Sequence, residues 1–145
     1  ATSKQRRNDP EWQQRIDIHR KRRPSSWKLI EHPLDICESI DSIKENQSIL
    51  IDSLGGLVEQ HLNDNDEKWL LLQSKFINCL SRCDLAIIVV SEEIGWGIAP
   101  ATHIGHLFRE RLANLFSIIS LNSSKQWLAL NGIAIDLDKF GYPIP

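Results

Sequence analysis

A histidine among cations is the first feature of the sequence that could carry out chemistry. His19 lies in a predicted helix, and Arg20 and Arg23 follow it with further basic side chains between them. A neutral imidazole is a competent nucleophile near neutral pH, and neighbouring cations would neutralise an incoming triphosphate. The segment therefore predicts attack on a phosphorus atom. A histidine that is packed on the helix, or exposed among solvated charges, is the alternative interpretation.

Acidic side chains follow the two clearest apolar runs of the sequence. Asp52 ends the run that begins at Ser48, and Glu92 and Glu93 follow the run 85–90. A carboxylate fixed at the end of a buried strand fits a Walker B magnesium ligand. The glutamates fit the positioning of a metal-bound water or a substrate hydroxyl. A solvated strand end and a solvated loop are the alternatives.

The elements that must position these groups alternate between helices and strands. Apolar periodicity, with Asp9-Pro10 as a helix start and Pro24 as a stop, defines them. The predicted helices cover residues 10–22, a segment from Pro33 (with Leu34, Cys37, Ile40 and Ile43 inward), a segment from about Leu57, and residues 66–82 and 102–120; the predicted strands cover residues 27–30, 48–52, 85–90, 127–130 and 133–135. This predicts one α/β domain over residues 1–145, with a mainly parallel sheet flanked by helices. Since ligands in such sheets bind beyond the carboxyl ends of the strands, we expect Asp52 and Glu92 to be neighbours.

Basic side chains are concentrated near the amino terminus. Residues 1–28 hold nine cations and three carboxylates, a net charge of +6, whereas the rest of the chain holds eight and sixteen, a net charge of −8. This asymmetry favours a polyanionic partner held at one place. With Trp12 and Trp27, the segment could neutralise phosphates and stack on nucleic-acid bases. Because no helix-turn-helix, RNP or KH motif accompanies it, nucleic acid is the less favoured polyanion.

Hydropathy and cysteine content bear on the class of protein. No apolar run of about 18 residues is present, so no membrane span is expected. Three cysteines without the paired spacing of a zinc site indicate a reducing compartment, and a cytoplasmic location is expected. Cys79 and Cys83 are interpreted as buried thiols. His103 and His106 have no third ligand nearby that would favour a metal site.

Four segments, in this order, resemble the adenosylcobinamide kinase / adenosylcobinamide-phosphate guanylyltransferase family of cobalamin biosynthesis. They are Ala1-Thr2-Ser3; Arg15–Arg20 with Arg23–Trp27 and Glu31, which follow the family pattern Arg-Ile-x-x-His…Arg-Pro-x-x-Trp…Glu; Ile49–Leu54; and Val89–Pro100 followed by Phe108-Arg109-Glu110. The second and fourth segments are specific, whereas the third is generic to P-loop proteins.

The resemblance implies a RecA-like P-loop fold, a trimer and two reactions. The family phosphorylates adenosylcobinamide with ATP or GTP, and then transfers GMP from GTP to that phosphate through a guanylylated histidine, releasing pyrophosphate. His19 matches the family's histidine, and Asp52 would take the Mg²⁺ role. The residues implied at the nucleotide and corrinoid sites are Arg20, Arg23, Glu31, Asp52, Glu92 and Glu93.

The sequence departs from the family pattern in two places. The family opens with a Gly-x-x-x-x-Gly-Lys-Ser phosphate loop, whose backbone amides and lysine cradle phosphates, and residues 1–145 contain no such segment. In a family member this loop and the first strand would lie upstream of Ala1. Without the loop we expect weak triphosphate binding, so an inactive relative that only binds or assembles is an alternative. The late helix has Ala113 and Phe116-Ser117 where many members have a glycine and an Asn-Gln pair.

Overall fold

The computed structural model describes residues 1–3 and 9–142, so the predicted cations Lys4, Arg6 and Arg7 lie outside the described residues. The helices are α1 (Pro10–Arg22), α2 (Ile36–Asp41), α3 (Leu54–Gln60), α4 (Asp66–Arg82), α5 (His103–Leu121) and α6 (Leu137–Phe140). The strands are β1 (Ser48–Asp52), β2 (Ala86–Val90), β3 (Trp127–Leu130) and β4 (Ile133–Asp136). The predicted α/β class is confirmed.

Strands β1 and β2 form a parallel pair whose two faces differ in burial. The register aligns Asp52 with Val90, so the two strands end together. Ile49 and Ile51 are buried on the face that packs against the helices, whereas Ile88 on the opposite face is 60% exposed. Because parallel strands are normally covered on both faces, the described residues complete only one side of this sheet.

The core lies between the buried face of β1 and helices α2 to α5. Helix α3 packs against α5, α2 packs against α4, and α4 also contacts α5. The most deeply buried side chains are Phe76, Leu54, Leu112, Leu115, Val58 and Cys79. Full burial of a large aliphatic or aromatic side chain contributes about 1.5–3 kcal/mol. This packing therefore fixes α3, and with it the turn that follows β1.

Helices α1, α4 and α5 lie where the sequence predicts them, because their caps are local. In α1, Asp9 accepts a hydrogen bond from the Trp12 amide at 3.0 Å. In α4, Asn65 accepts one from the Lys68 amide at 3.0 Å. A side chain that satisfies a free amide of the first turn fixes the start of a helix. Helix α1 contributes no buried residue, so it lies on the surface.

Two helices begin at different residues from those predicted. The Asp35 carboxylate accepts a hydrogen bond from the Cys37 amide at 2.8 Å, so α2 begins after Asp35 and not at Pro33. Leu34, predicted to point inward, precedes the helix and is fully exposed. Helix α3 begins about three residues before the predicted Leu57 and includes the adjacent glycine pair.

The sheet is smaller than predicted. Residues 27–30, predicted as a strand, join no strand ladder among the described residues. Strands β3 and β4 form a separate antiparallel hairpin. Its turn has positive φ at Asn131 (50°) and Gly132 (79°), the conformations that a type I′ turn requires. The prediction of a mainly parallel sheet is therefore confirmed only as a small parallel sheet flanked by helices.

The cysteines are free, and their burial differs. Cys37 and Cys79 are buried, whereas Cys83, predicted to be buried, is only partly so. Cys83 caps the carboxyl end of α4, where the helix leaves the core. Within the described ranges, no helix is both long enough and apolar enough to cross a membrane.

Candidate functional site at the end of strand β1

The end of β1 is held by the amino-terminal segment of the chain. The Thr2 amide donates a hydrogen bond to the Asp52 carbonyl oxygen at 3.0 Å. The Thr2 hydroxyl accepts one from the Ser53 amide at 3.0 Å and donates one to the Ser53 carbonyl oxygen. Thr2 is buried, so these bonds are shielded from water. The turn after β1 is therefore fixed by a residue 51 positions away.

Glu92 holds the same turn from the side of β2. Its carboxylate accepts hydrogen bonds from the Ser53 hydroxyl and, at 3.0 Å, from the Gly55 amide. Ser53 itself makes no side-chain cap to α3, so Glu92 supplies the acceptor for the first turn of this helix. The ends of β1 and β2 therefore lie side by side, as the sequence predicts.

The glycine pair of α3 makes room for both of these contacts. A Cβ atom on Gly55 would lie 2.5 Å from the Glu92 Oε2 atom. A Cβ atom on Gly56 would lie 2.6 Å from the Ser3 amide nitrogen and would collide with the Thr2 hydroxyl. Close approach of backbone to a carboxylate explains glycines at the start of a helix, where their propensity is poor.

An apolar cleft of about 480 Å³ lies beside β1 and reaches the Asp52 end of this strand. Its walls include Trp27 and Ile30 on one side and β1 on the other, and Arg23 also lines it. Arg23 and Asp52 are thus the two predicted site residues that share this cavity.

The Ala1 amino group lies near the end of β1, because the adjacent Thr2 amide bonds to the Asp52 carbonyl oxygen. Burial lowers the pKa of this amino group, and Arg23 lowers it further, whereas the Asp52 and Glu31 carboxylates oppose that shift. Burial has the largest effect on this pKa because desolvation disfavours the charged form.

The remaining predicted residues lie elsewhere. His19 and Arg20 are exposed on α1, where Arg20 forms an ion pair with Asp17 at 3.3 Å. Neither residue lines the cleft. Glu93 accepts a hydrogen bond from the Gly95 amide at 2.7 Å within its own loop. The described structure therefore brings Arg23 and Asp52 to one cleft and joins Glu92 to the turn after Asp52, whereas His19, Arg20, Glu31, Glu92 and Glu93 do not line that cleft.

Sequence reasoning missed the part that Thr2 and the glycine pair play at this site. Gly55-Gly56 directly after an acid-terminated strand was the available signal, because adjacent glycines often mark close backbone approach. Arg109 of α5 is a further contact: its Nη2 atom donates to the Gly95 carbonyl oxygen at 3.1 Å. This bond ties the loop after Glu93 to α5.

Asp52 is the residue that best fits a magnesium ligand. In the described part of the chain, no hydrogen bond involves its side chain, and no cluster of three His, Cys, Asp or Glu side chains could hold a metal by itself. Mg²⁺ is usually held by one or two carboxylates together with waters and substrate phosphates. A single exposed carboxylate at a fixed strand end is therefore compatible with a magnesium–nucleotide complex.

The fold and the site define an α/β protein whose polar groups gather at the carboxyl ends of parallel strands, where this class binds its ligands. Residues 1–137 match the family described as cobinamide kinase / cobinamide phosphate guanyltransferase, and the chain belongs to this family.

Curated relatives agree with this assignment. The bifunctional adenosylcobalamin biosynthesis protein CobU of Escherichia coli is 25% identical, over 89% of this chain and 80% of that protein. The corresponding CobP of Pseudomonas aeruginosa is 27% identical, over 89% of this chain and 76% of that protein. CobU of Salmonella typhimurium is 24% identical, over 89% of this chain and 80% of that protein.

Proposed function

We propose that this protein is a nucleotide-dependent transferase of cobalamin biosynthesis, which phosphorylates adenosylcobinamide and transfers GMP from GTP to adenosylcobinamide phosphate. Family membership supports the substrate class. The observation that carries the proposal is the braced end of β1, where Thr2 and Glu92 hold the turn that presents Asp52. A rigid carboxylate at this position suits a reaction that depends on placing phosphates.

The guanylyl transfer uses His19 as the nucleophile. A ring nitrogen of the neutral imidazole attacks the α-phosphorus of GTP, a phosphorus–nitrogen bond forms, and pyrophosphate leaves with the electron pair of the broken bond. A phosphate oxygen of adenosylcobinamide phosphate then attacks the same phosphorus, and the phosphorus–nitrogen bond breaks to regenerate His19. The exposed position of His19 on α1 leaves the ring accessible to both substrates.

Charged side chains from several parts of the chain would support both steps. Arg20 and Arg23 would stabilise the negative charge that develops on the phosphoryl oxygens, and Glu31, Glu92 and Glu93 would complete the nucleotide and corrinoid sites. Asp52 would hold Mg²⁺, which would neutralise charge on the triphosphate when bound.

The fold proposed for this activity is RecA-like, as one domain over residues 1–145 that works as a trimer in the cytoplasm. The parallel β1–β2 pair supports it, because an aspartate at a strand end has the place of a Walker B carboxylate. Residues 1–145 contain no Gly-x-x-x-x-Gly-Lys-Ser segment. We therefore expect these residues alone to bind a triphosphate weakly.

The test of this proposal is transfer of labelled GMP to the protein as its gene encodes it. With α-labelled GTP and Mg²⁺, a phosphoramidate gives a label that acid releases and base does not. His19→Ala should lose the label, whereas His103→Ala, which removes an exposed histidine of α5, should keep it. An unlabelled wild-type protein, or full guanylyl transfer by His19→Ala, would refute the mechanism.

A second candidate function is polyanion binding without catalysis. Helix α1 carries Arg15, Arg20, Lys21 and Arg22 and has no fully buried residue, which favours contact with phosphates. In that case a single-stranded oligonucleotide should bind with a strong salt dependence, and GTP should not compete. Competition by GTP would favour the transferase.

A further inference from the structure

Two large apolar side chains lie in solvent on the loop between β2 and α5. Trp96 is 68% exposed and Ile98 is 99% exposed. Their neighbours are Gly97 and Ala99, so residues 96–99, the apolar loop tip, contain one hydrogen-bonding side-chain group, the indole N–H of Trp96. A single exposed apolar residue is common on a protein surface, whereas two of them on one short turn are typical of a binding surface.

The loop is held on both sides of this tip. Before it, the Gly95 amide donates to the Glu93 Oε1 atom at 2.7 Å, and the Gly95 carbonyl oxygen accepts from the Arg109 Nη2 atom at 3.1 Å. After it, Pro100 packs against α5, where a Cβ atom on Gly105 would lie 2.6 Å from the Pro100 Cβ atom. Because both sides are fixed, a ligand that contacts the tip has little of the loop left to order.

The loop begins at the carboxyl ends of the parallel strands. It leaves β2 through Glu92, whose carboxylate bonds to the Ser53 hydroxyl and the Gly55 amide in the turn after Asp52. Ligands of parallel α/β sheets bind beyond this end of the strands. The apolar loop tip is therefore joined to the same end of the sheet as the proposed magnesium ligand.

We propose that Trp96 and Ile98 bind the corrin ring of adenosylcobinamide, with the indole stacked on the conjugated face of the ring and Ile98 against the methyl groups of its rim. This inference rests on the proposed function and deepens it. It assigns to the corrinoid two residues that the nucleotide chemistry does not use.

The chemistry of the tip favours the corrinoid over the guanine base of GTP. A base is recognised through the donors and acceptors on its edge, which require several polar groups placed around it. The apolar loop tip supplies one polar side-chain group. A corrin ring is wider and carries many methyl groups, so stacking and burial of apolar surface suit it, and an indole buries about 150–250 Å² in such a contact.

The test is equilibrium dialysis of adenosylcobinamide, without nucleotide, against the protein as its gene encodes it. Trp96→Ala should raise the Kd by about tenfold or more, because a stacked indole is among the costliest side chains to truncate at an interface. Trp96→Phe keeps an aromatic face, so its Kd should stay within about threefold of the wild-type value. Trp127→Ala is the matched control: it removes a tryptophan that is 56% exposed on β3, and it should leave the Kd unchanged.

Labelling with α-labelled GTP separates this inference from the proposed transferase. Trp96→Ala should take up the GMP label as fast as the wild type, because that step precedes the reaction of the corrinoid. A wild-type protein that binds adenosylcobinamide through Trp96 but takes up no label would refute the His19 mechanism and keep the corrin contact.

Other results would overturn the corrin contact itself. An unchanged Kd in Trp96→Ala, or no binding of adenosylcobinamide by the wild type, would show that the tip does not bind the ring. Loss of the GMP label in Trp96→Ala with an unchanged Tm would assign Trp96 to GTP. A smaller assembly of Trp96→Ala in sedimentation would identify a second copy of this chain as the occupant of the tip.

Discussion

The Glu92 carboxylate accepts hydrogen bonds from the Ser53 hydroxyl and the Gly55 amide, and so joins the loop after β2 to the turn after β1. Asp52 lies directly before that turn. The position of the proposed magnesium ligand therefore depends on a carboxylate 40 residues further along the chain, as the sequence itself shows.

Glu92→Ala should destabilise the protein by about 1 kcal/mol, because the first turn of α3 and the Ser53 hydroxyl lose a charged acceptor. Urea unfolding measures the change. Glu93→Ala is the matched control: its carboxylate bonds only to the Gly95 amide of its own exposed loop among the described contacts, so about 0.5 kcal/mol or less is expected. Equal losses in the two variants would contradict the bracing role of Glu92.

Gly55→Ala should cost about 1–3 kcal/mol, since its Cβ atom would lie 2.5 Å from Glu92 Oε2 and force that carboxylate away. In Gly97→Ala the nearest atom, the Ile94 carbonyl oxygen, is 3.9 Å away, so little change is expected. The double variant Gly55→Ala, Glu92→Ala checks the cause: its loss of unfolding free energy should be smaller than the sum of the single losses.

Cys83 should react with iodoacetamide before Cys37 or Cys79. Burial raises the pKa of Cys37 to about 12 and also raises the pKa of Cys79. At pH 8, a thiol with a pKa of about 12 is only about 0.01% in the thiolate form, which is the nucleophile. Mass spectrometry of the alkylated peptides over time gives the order. Modification of Cys37 as fast as Cys83 in the folded protein would contradict it.

Asp35 should make stability fall at acid pH. A hydrogen bond from Lys75 and bonds from the Glu38 and Cys37 amides lower the pKa of Asp35 from 3.8. Since the folded-state pKa is below the unfolded value, the stabilisation is present above about pH 3.8 and is lost as pH falls through the lower folded value.

Unfolding free energies measured between about pH 2 and pH 5 test this linkage, whose window follows from the shift of Asp35. Asp35→Asn should flatten the acid slope of the stability curve. Asp84→Asn, which changes an exposed aspartate, should keep the slope. An unchanged slope in Asp35→Asn would refute the role of this carboxylate.

Local signals in the sequence determined much of the fold. Helix α1 follows from Asp9-Pro10 and its stop at Pro24, and the β3–β4 hairpin follows from Asn131-Gly132 between two apolar runs. The caps and turn conformations involve residues within a few positions of each other, so short stretches of sequence carry the whole signal. The apolar runs likewise predicted that Asp52 ends β1 and that Glu92 follows β2.

Tertiary structure alone decided the rest, because the deciding contacts join residues far apart in sequence. The role of Gly55-Gly56 depends on Glu92, which lies against Gly55, and on Thr2, which lies against Gly56. Residues 27–30 have a strand-like sequence but join no ladder, since a strand forms only where another backbone lies beside it. Side-chain type revealed which groups could do chemistry, whereas the pairing of the distant strands β1 and β2 fixed where Asp52 and Glu92 lie.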